Sequence, residues 1–158
     1  MNVLARNVSK LKKILNQIIT ELKKMIAGSD YVTNFSSNAI FKNALKWTTY
    51  NQVPSCHVSY ANGTHDVGVT KVKDCRGTFA LLFCCDDRSE SDPGVDKFFE
   101  FLQDLNMLAD LNPHLNDGTD NLVQYWKIAR ESTDKGTRSP LTMAEVTVEA
   151  RYFDAPNT

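Results

Sequence analysis

The sequence predicts an α+β fold in which two main α-helices pack on one face of an antiparallel or mixed β-sheet of about four to five strands. Two stretches carry apolar residues at steps of three and four, the spacing of amphipathic helices. Several others alternate apolar with polar residues, the spacing of half-buried strands. The length of 158 residues and the hydrophobic fraction of 42% are typical of one globular domain, so we expect a single domain over residues 1–158.

The first helix is predicted over residues 1–27, with Gly28 placed to end it. Its apolar stripe is short and narrow, which favours packing across a sheet over a coiled coil. A helix lying on a membrane surface is a weaker alternative, because the stripe contains no Trp or Phe anchor. The stripe consists of Leu4, Val8, Leu11, Leu15, Ile18, Leu22 and Met25.

The next segment, residues 28–51, is ambiguous in the sequence. Apolar residues lie at helical intervals after Ser37, a residue type that caps helices, but the composition of the segment is otherwise mixed. A short second helix and an irregular arm both fit this pattern.

Residues 52–153 are predicted to contain the sheet and the second helix, and residues 154–158 are predicted to form a tail. Apolar residues alternate with polar ones on both sides of Asn62-Gly63, a dipeptide typical of type I′ turns, and this predicts a β-hairpin. The run from Thr78 to Cys85 is apolar on both faces, as in a strand at the centre of a sheet. Residues 122–130 have the composition of a further strand.

The final strand has the clearest pattern in the chain. Five apolar residues alternate with polar or charged residues, so we expect one buried face and one wet face. The predicted buried face consists of Ala144, Val146, Val148, Ala150 and Tyr152.

The second long helix is predicted over residues 95–111, after Asp92-Pro93 and before Asn112-Pro113. The spacing of its side chains predicts one buried and one solvent-exposed face. The predicted buried face carries Val95, Phe98, Phe99, Leu102, Leu105, Leu108 and Leu111. The predicted solvent face carries four acids, Asp96, Glu100, Asp104 and Asp110.

The formal net charge of −1 conceals a strong segregation of charge along the chain. Residues 1–27 contain six basic residues and one acid, whereas residues 84–120 contain ten acids and two basic residues. Such asymmetry favours contact with partners of opposite sign or with other copies of the chain. Sequence-specific nucleic-acid binding has little support, because the chain as a whole is slightly acidic and carries no recognised motif.

Motifs of catalysis or cofactor binding are absent from the sequence. Neither a glycine-rich phosphate-binding loop nor a Gly-x-Ser-x-Gly element occurs, and the histidines and cysteines lack the spacing of metal ligands. The four cysteines are interpreted as reduced, buried thiols, although Arg76 could lower the pKa of the neighbouring Cys75. His57 is expected to face water. We therefore predict no catalytic, cofactor or metal residues and expect no enzyme activity.

The chain shows no segment that points to a membrane or to secretion. The longest apolar run, from Phe79 to Cys85, is far shorter than the roughly twenty residues of a spanning helix, and the amino terminus has no visible secretory signal. We expect a chain that stays in the cytoplasm in which it is made.

The order of the elements along the chain carries a family resemblance. The features concerned are the amino-terminal helix, the strand 55–60 introduced by Val53-Pro54, the strand 78–85 with its Asp-rich turn, the helix 95–111 and the closing strand 143–152. This order resembles that of the tail terminator, or tail completion, proteins of long-tailed bacteriophages.

The resemblance implies a structural virion protein without catalysis or cofactors. Such proteins form a hexameric ring at the head-proximal end of the tail tube, stop tube polymerisation and offer a docking surface to the neck proteins. DNA passes through the lumen of the ring without sequence-specific binding. The implied location is the tail or neck of the virion, after assembly in the cytoplasm of the host bacterium.

The resemblance also implies two contact segments, because loops between strands reach the tube or the neck in this family. By position these are the acidic turn 86–90 and the polar hairpin loop 135–138. The candidate interface residues are Asp86, Asp87, Glu90, Lys135 and Arg138. The polar stretch from Ser132 to Pro140 has nine residues, more than the usual two to five of a hairpin loop, so it is either disordered alone or ordered by a partner. Part of the acidic stretch is expected to repel the DNA backbone in the lumen.

Two other classes of protein stay open. One is another head-tail connector or minor tail protein, which would share the logic of assembly. The other is a small cytoplasmic α+β domain that binds a ligand or acts as an enzyme.

Overall fold

The computed structural model describes residues 9–26, 28–36, 38–42, 54–67, 72–86, 88, 93–134 and 141–154. Their elements are α1 (Lys10–Leu22), β1 (Ile40–Lys42), β2 (Ser55–Val67), β3 (Lys73–Asp86), α2 (Gly94–Leu111), β4 (Tyr125–Thr133) and β5 (Leu141–Asp154). Neither of these two described helices is long and apolar enough to cross a membrane. The predicted α+β class is confirmed.

The five strands form one mixed sheet in the order β1-β2-β3-β5-β4. β1 runs parallel to β2, and every other neighbouring pair is antiparallel. β3 lies at the centre, as its apolar sequence predicts. Among the described strands, β4 forms one edge of the sheet and the short β1 forms the other.

Both helices pack on the same face of the sheet, as predicted. α1 contacts β1 and β2, and α2 contacts β3, β5 and β4. A group of aromatic rings lies between the helices and the sheet, where the ring of Phe83 stacks on that of Phe101 with centroids 4.5 Å apart. Phe35, from the segment after α1, meets both rings edge-on. Burial of these rings contributes a large part of the hydrophobic stabilisation.

The predicted hairpin turn at Asn62-Gly63 is wrong. Both residues lie inside β2, which pairs with β3 along its whole length, and the chain reverses only after the end of β2. The register shifts between Tyr60 and Asn62, which marks a β-bulge. A Cβ at Gly63 would lie 3.0 Å from the carbonyl oxygen of Arg76, so the glycine permits a close approach of the two strands.

α1 ends at Leu22, earlier than the predicted end at Gly28. The N–H groups of Lys24 and Met25 donate to carbonyls three residues back, the pattern of a tightening last turn. The carbonyl of Met25 then accepts a hydrogen bond from the N–H of Phe35 at 2.8 Å. This bond turns the chain away from the helix axis and into the segment that follows.

The segment predicted as an irregular arm or a short helix is an arm in the residues that the structure describes. Residues 28–36 and 38–42 contain no helix, and β1 is their one regular element. We refer to residues 28–36 as the arm. The remainder of this predicted segment, like the predicted start of the first helix in residues 1–8, lies outside the described residues.

α2 has nearly its predicted bounds, but its buried face differs from the predicted one. Phe101 is fully buried, whereas Val95, Phe99 and Leu111 are 44%, 58% and 71% exposed. Apolar residues occupy more than half of the circumference of this helix, so several faces satisfy the same spacing. The sequence pattern therefore predicts the helix but not its rotation.

The predicted solvent face of α2 is correct for Asp96 and Asp110 but wrong for Asp104, which is only 3% exposed. The carboxylate of Asp104 accepts hydrogen bonds from the backbone N–H groups of Val32, at 3.2 Å, and Thr33, at 2.6 Å. A buried carboxylate is stable only where such donors replace water. Asp104 therefore clamps the arm against α2.

The last two strands are confirmed with different bounds. β5 buries all five predicted apolar residues, and its other face is largely half-buried rather than fully wet. β4 begins at Tyr125, later than predicted, because the N–H groups of Leu122 and Val123 bond to the carbonyl of His114 in the loop after α2.

Candidate assembly surface

The two predicted contact segments are bracketed by strand ends that lie side by side. Asp86, the last residue of β3, pairs with Leu141, the first residue of β5. Asp134 follows β4, and its N–H donates to the carbonyl of Met143 in β5 at 2.9 Å. We call this end of the sheet the loop end and the opposite end, where β3 begins, the far end. Both segments therefore leave the sheet at the loop end.

Of the five predicted interface residues, only Asp86 lies among the described residues. Asp87, Glu90, Lys135 and Arg138 lie outside them. The structure brings together the strand ends that flank both segments, while the contacts of these four residues stay predictions.

Asp86 is held in place by its neighbours in the chain. The guanidinium of Arg88 forms an ion pair with the carboxylate, and the backbone N–H of Arg88 donates to it at 2.9 Å. These side-chain and backbone donors lower the pKa of Asp86 to about 2. The amine of Lys97 in α2 donates to the carbonyl of Asp86 at 2.8 Å. An ionised and locally ordered carboxylate therefore marks the point where β3 leaves the sheet.

A cavity of about 360 Å³ opens beside Asp86 at the loop end. Its wall combines the arm at Thr33, β3 at Phe83 and α2 at Lys97 and Glu100. The hydroxyl of Thr33 is buried and has no hydrogen-bond partner among the described residues, which is uncommon for a buried polar group. The cavity therefore has both apolar and polar walls and a volume in the range of small-molecule sites.

The far end of the sheet is closed by bonds between strands. The guanidinium of Arg151 donates to the carboxylate of Asp74 through Nε at 3.1 Å and through Nη2 at 2.9 Å. The hydroxyl of Tyr125 donates to Glu149 at 2.8 Å, and this bond raises the pKa of Tyr125. These four side chains satisfy one another on the sheet itself, and the amine of Lys10 in α1 donates to the carbonyl of Phe153 at 2.9 Å.

Cys75 lies on β3 directly opposite His65 on β2, and its Sγ is 3.1 Å from the Nδ1 of His65. A thiol beside an imidazole is the arrangement of a cysteine nucleophile and its base. Burial, however, raises the pKa of Cys75, so the alternative that Arg76 lowers it is wrong. All four cysteines are buried and free of disulfides, as predicted.

His57 is buried, contrary to the expectation that it faces water. It lies on the face of the sheet opposite the helices, is 1% exposed, and its ring stacks on that of Phe41 with centroids 4.8 Å apart. Burial lowers the pKa of His57, so the ring is neutral at neutral pH.

Three features of α2 at this surface cannot be recognised from the sequence pattern around the residues concerned. Asp104 bonds to backbone groups more than 70 residues away, and Lys97 bonds to the end of β3. Phe99 is exposed although its spacing predicts burial. Helical periodicity places each residue on the helix, but only the tertiary fold shows what each one contacts.

The described residues contain no group of three or more His, Cys, Asp or Glu side chains that could hold a metal ion. No protein-family model matches the chain, and no curated protein matches it. A functional assignment therefore depends on the arrangement of the chain's own residues.

Proposed function

We propose that this chain is a structural subunit that assembles with copies of itself into a ring, as the tail terminators of long-tailed bacteriophages do. The ring caps the head-proximal end of the tail tube, stops its polymerisation and offers a docking surface to the neck. The convergence of the two polar connecting segments at the loop end carries this proposal.

The convergence supports assembly because a ring subunit needs one region for contact and a rigid scaffold behind it. The acidic turn begins at the end of β3, the central strand, and the polar loop lies between β4 and β5. Asp86, paired with Arg88, presents a fixed charge at this point. Charges held in this way favour selection of a partner and fast association.

The acidic turn also suits a lumen through which DNA slides. Carboxylates repel the phosphate backbone and prevent its binding. Replacing Asp86, Asp87 and Glu90 with their amides should slow DNA passage while rings still form. Unchanged ejection from virions that carry the triple variant would contradict this part of the proposal.

The decisive experiment adds purified protein to growing tail tubes and images the products by electron microscopy. We expect rings or caps at one end of each tube, together with tubes of limited length. Light scattering of the protein alone gives the number of subunits in the free state. A chain that stays monomeric and never attaches to tubes would contradict the proposed function.

The same experiment separates the terminator from another head-tail connector or minor tail protein. A connector binds the neck or an already capped tail but does not stop tube elongation. Attachment without an effect on tube length would therefore favour the connector.

The cavity at the loop end favours a second candidate, a small ligand-binding α+β domain. Native mass spectrometry of the purified protein would then show a bound small molecule on a monomer. Replacing Thr33 with Val removes the buried hydroxyl at nearly constant side-chain volume and should weaken the binding of that molecule. For a terminator we expect no such bound molecule.

A further inference from the structure

We propose that neighbouring subunits associate head to tail through the two outer flanks of the helix layer. The outer flank of α1 in one copy packs against the outer flank of α2 in the next copy. This inference rests on the proposed ring and names the contact that closes it.

The outer flank of α1 is basic. With 3.6 residues per turn, Lys12, Ile19 and Lys23 lie on one side of the helix, where both lysines are exposed and Ile19 is partly buried. Asn16, next to them, accepts a hydrogen bond from the amine of Lys42 in β1 at 3.1 Å. This bond places the flank above the β1 edge of the sheet.

The opposite side of α1 is already used within the molecule. Gln17 and Glu21 lie there in line with Lys13. The buried carboxylate of Glu21 accepts hydrogen bonds from Lys24 at 2.7 Å and from Asn112, at the end of α2, at 2.9 Å. Lys13 therefore carries the same charge on the same helix but lies away from the outer flank.

The outer flank of α2 is apolar and bordered by acid. Val95, Phe99 and Leu102 follow one another at steps of four and three, and the first two are exposed. They lie on the other side of α2 from Asp104, which bonds to the arm, and so they face the β4 edge. Asp96 is exposed beside them.

β4 leaves this flank open. Glu131 pairs with Val146, whose side chain is buried beneath the helices, yet Glu131 itself is exposed. The helix side of the sheet is therefore uncovered at this point. A register shift between Ile128 and Arg130, together with the charges of the strand, disfavours direct pairing with another strand. At this edge the contact therefore uses the helix flank and the side chain of Glu131 rather than backbone pairing between strands.

The two flanks complement each other in charge and shape. Lysines of the α1 flank meet Asp96 and Glu131 of the next copy, and the exposed ring of Phe99 supplies an apolar anchor against Ile19. Because the two flanks differ, the contact is heterologous, and a heterologous contact closes into a ring when its rotation permits. The occupant of each flank is therefore a second copy of this chain.

Charge reversal on each flank tests the contact. The double variant Lys12→Glu/Lys23→Glu and the double variant Asp96→Lys/Glu131→Lys should each raise the midpoint concentration of association at least tenfold. Mixing the two variants should restore association, because every contact in an alternating ring then joins opposite charges. Analytical ultracentrifugation of the free proteins and tube-end binding measure the effect, and circular dichroism checks the fold.

Two matched controls separate the flanks from the rest of the surface. Lys13→Glu makes the same reversal on the other side of α1 and should leave association unchanged. Phe99→Ser should weaken association at least tenfold, whereas Leu111→Ser, which removes a still more exposed apolar residue on the other side of α2, should not.

The outcomes distinguish this inference from the proposed function. If all reversed variants still form rings and cap tubes, the flank contact is wrong and the terminator function stands. If the variants lose association in solution and the mixture regains it, the contact is correct even if no tube is capped. A wild-type chain that stays monomeric with and without tubes overturns both.

Discussion

The loop end and the far end of the sheet satisfy their polar groups in different ways. At the far end, the side-chain pairs join neighbouring strands, as Arg151 and Asp74 do, and the amine of Lys10 in α1 adds a hydrogen bond to the carbonyl of Phe153. At the loop end, the arm and α2 bring in groups from distant parts of the chain, as Asp104 and Lys97 do. Strand register therefore brings together the side-chain pairs of the far end, whereas the polar contacts of the loop end require the arm and α2 to be in place. A substitution at the loop end is therefore expected to alter both the stability of the domain and the proposed contact surface.

The largest expected effect is that of Phe83→Ala beneath the loop end. The Phe83 ring stacks on Phe101 and meets Phe35 edge-on, so its removal leaves a cavity in the core. We expect a loss of about 3–5 kcal/mol in the free energy of unfolding, measured by urea titration. The matched control Phe99→Ala removes an exposed ring and should cost less than about 1 kcal/mol. Equal losses for both would contradict the described core.

A smaller effect is expected from Asp104→Ala, which removes the clamp on the arm. The N–H groups of Val32 and Thr33 then lose their acceptor, at a cost of about 1–3 kcal/mol. The rate of hydrogen exchange should rise at these two amides and rise less in β3. Asp110→Ala removes an exposed acid of the same helix and serves as the control. Unchanged exchange at Val32 and Thr33 would mean that Asp104 does not hold the arm.

The next effect depends on pH and concerns His57, which is buried on the face of the sheet opposite the helices, near the loop end. Because burial lowers its pKa below the usual value of 6.5, the unfolded chain takes up a proton before the folded chain does. Stability from this residue is complete above about pH 6.5 and declines as the pH falls toward the lower folded pKa. Thermal unfolding between pH 7.5 and 5 measures the decline, which His57→Phe should reduce. An equal slope in His57→Phe would exclude His57 as its source.

The smallest effect is expected at the far end, from Arg151→Gln. The ion pair with Asp74 is about one third exposed on both sides, so solvent screens it. We expect a loss of about 0.2–1 kcal/mol that shrinks in high salt. Double-mutant analysis with Asp74→Asn isolates the pair. A loss as large as that of Asp104→Ala would contradict the contrast between the two ends.

The elements that the sequence predicts best are those in which apolar residues recur at one uninterrupted spacing. β5 alternates without a break, and all five of its predicted core residues are buried. α2 is correct in extent but not in rotation, because its apolar residues leave several faces equivalent. The Asn62-Gly63 dipeptide fits both a turn and a bulge, and only pairing with β3 decides between them.

The sequence predicts the two segments of the candidate surface separately but not that they start from neighbouring strand ends. Polarity and length single out the turn after β3 and the loop after β4 separately. Their convergence depends on the pairing of Asp86 with Leu141, and no local pattern encodes that long-range register. The exposure of Phe99 likewise follows from the rotation of α2, which turns Asp104 toward the arm and Phe99 away from it.

The central strand β3 pairs with β5, a strand that is synthesised only after α2 and β4. β5 closes the chain's sheet only after all of α2 and β4 have been synthesised, so a nascent chain carries the apolar run of β3 with one side unpaired. Synthesis of β5 therefore sets the earliest moment at which the sheet is complete. Fragments that stop short of residue 141 should accumulate as aggregates rather than enter the proposed ring.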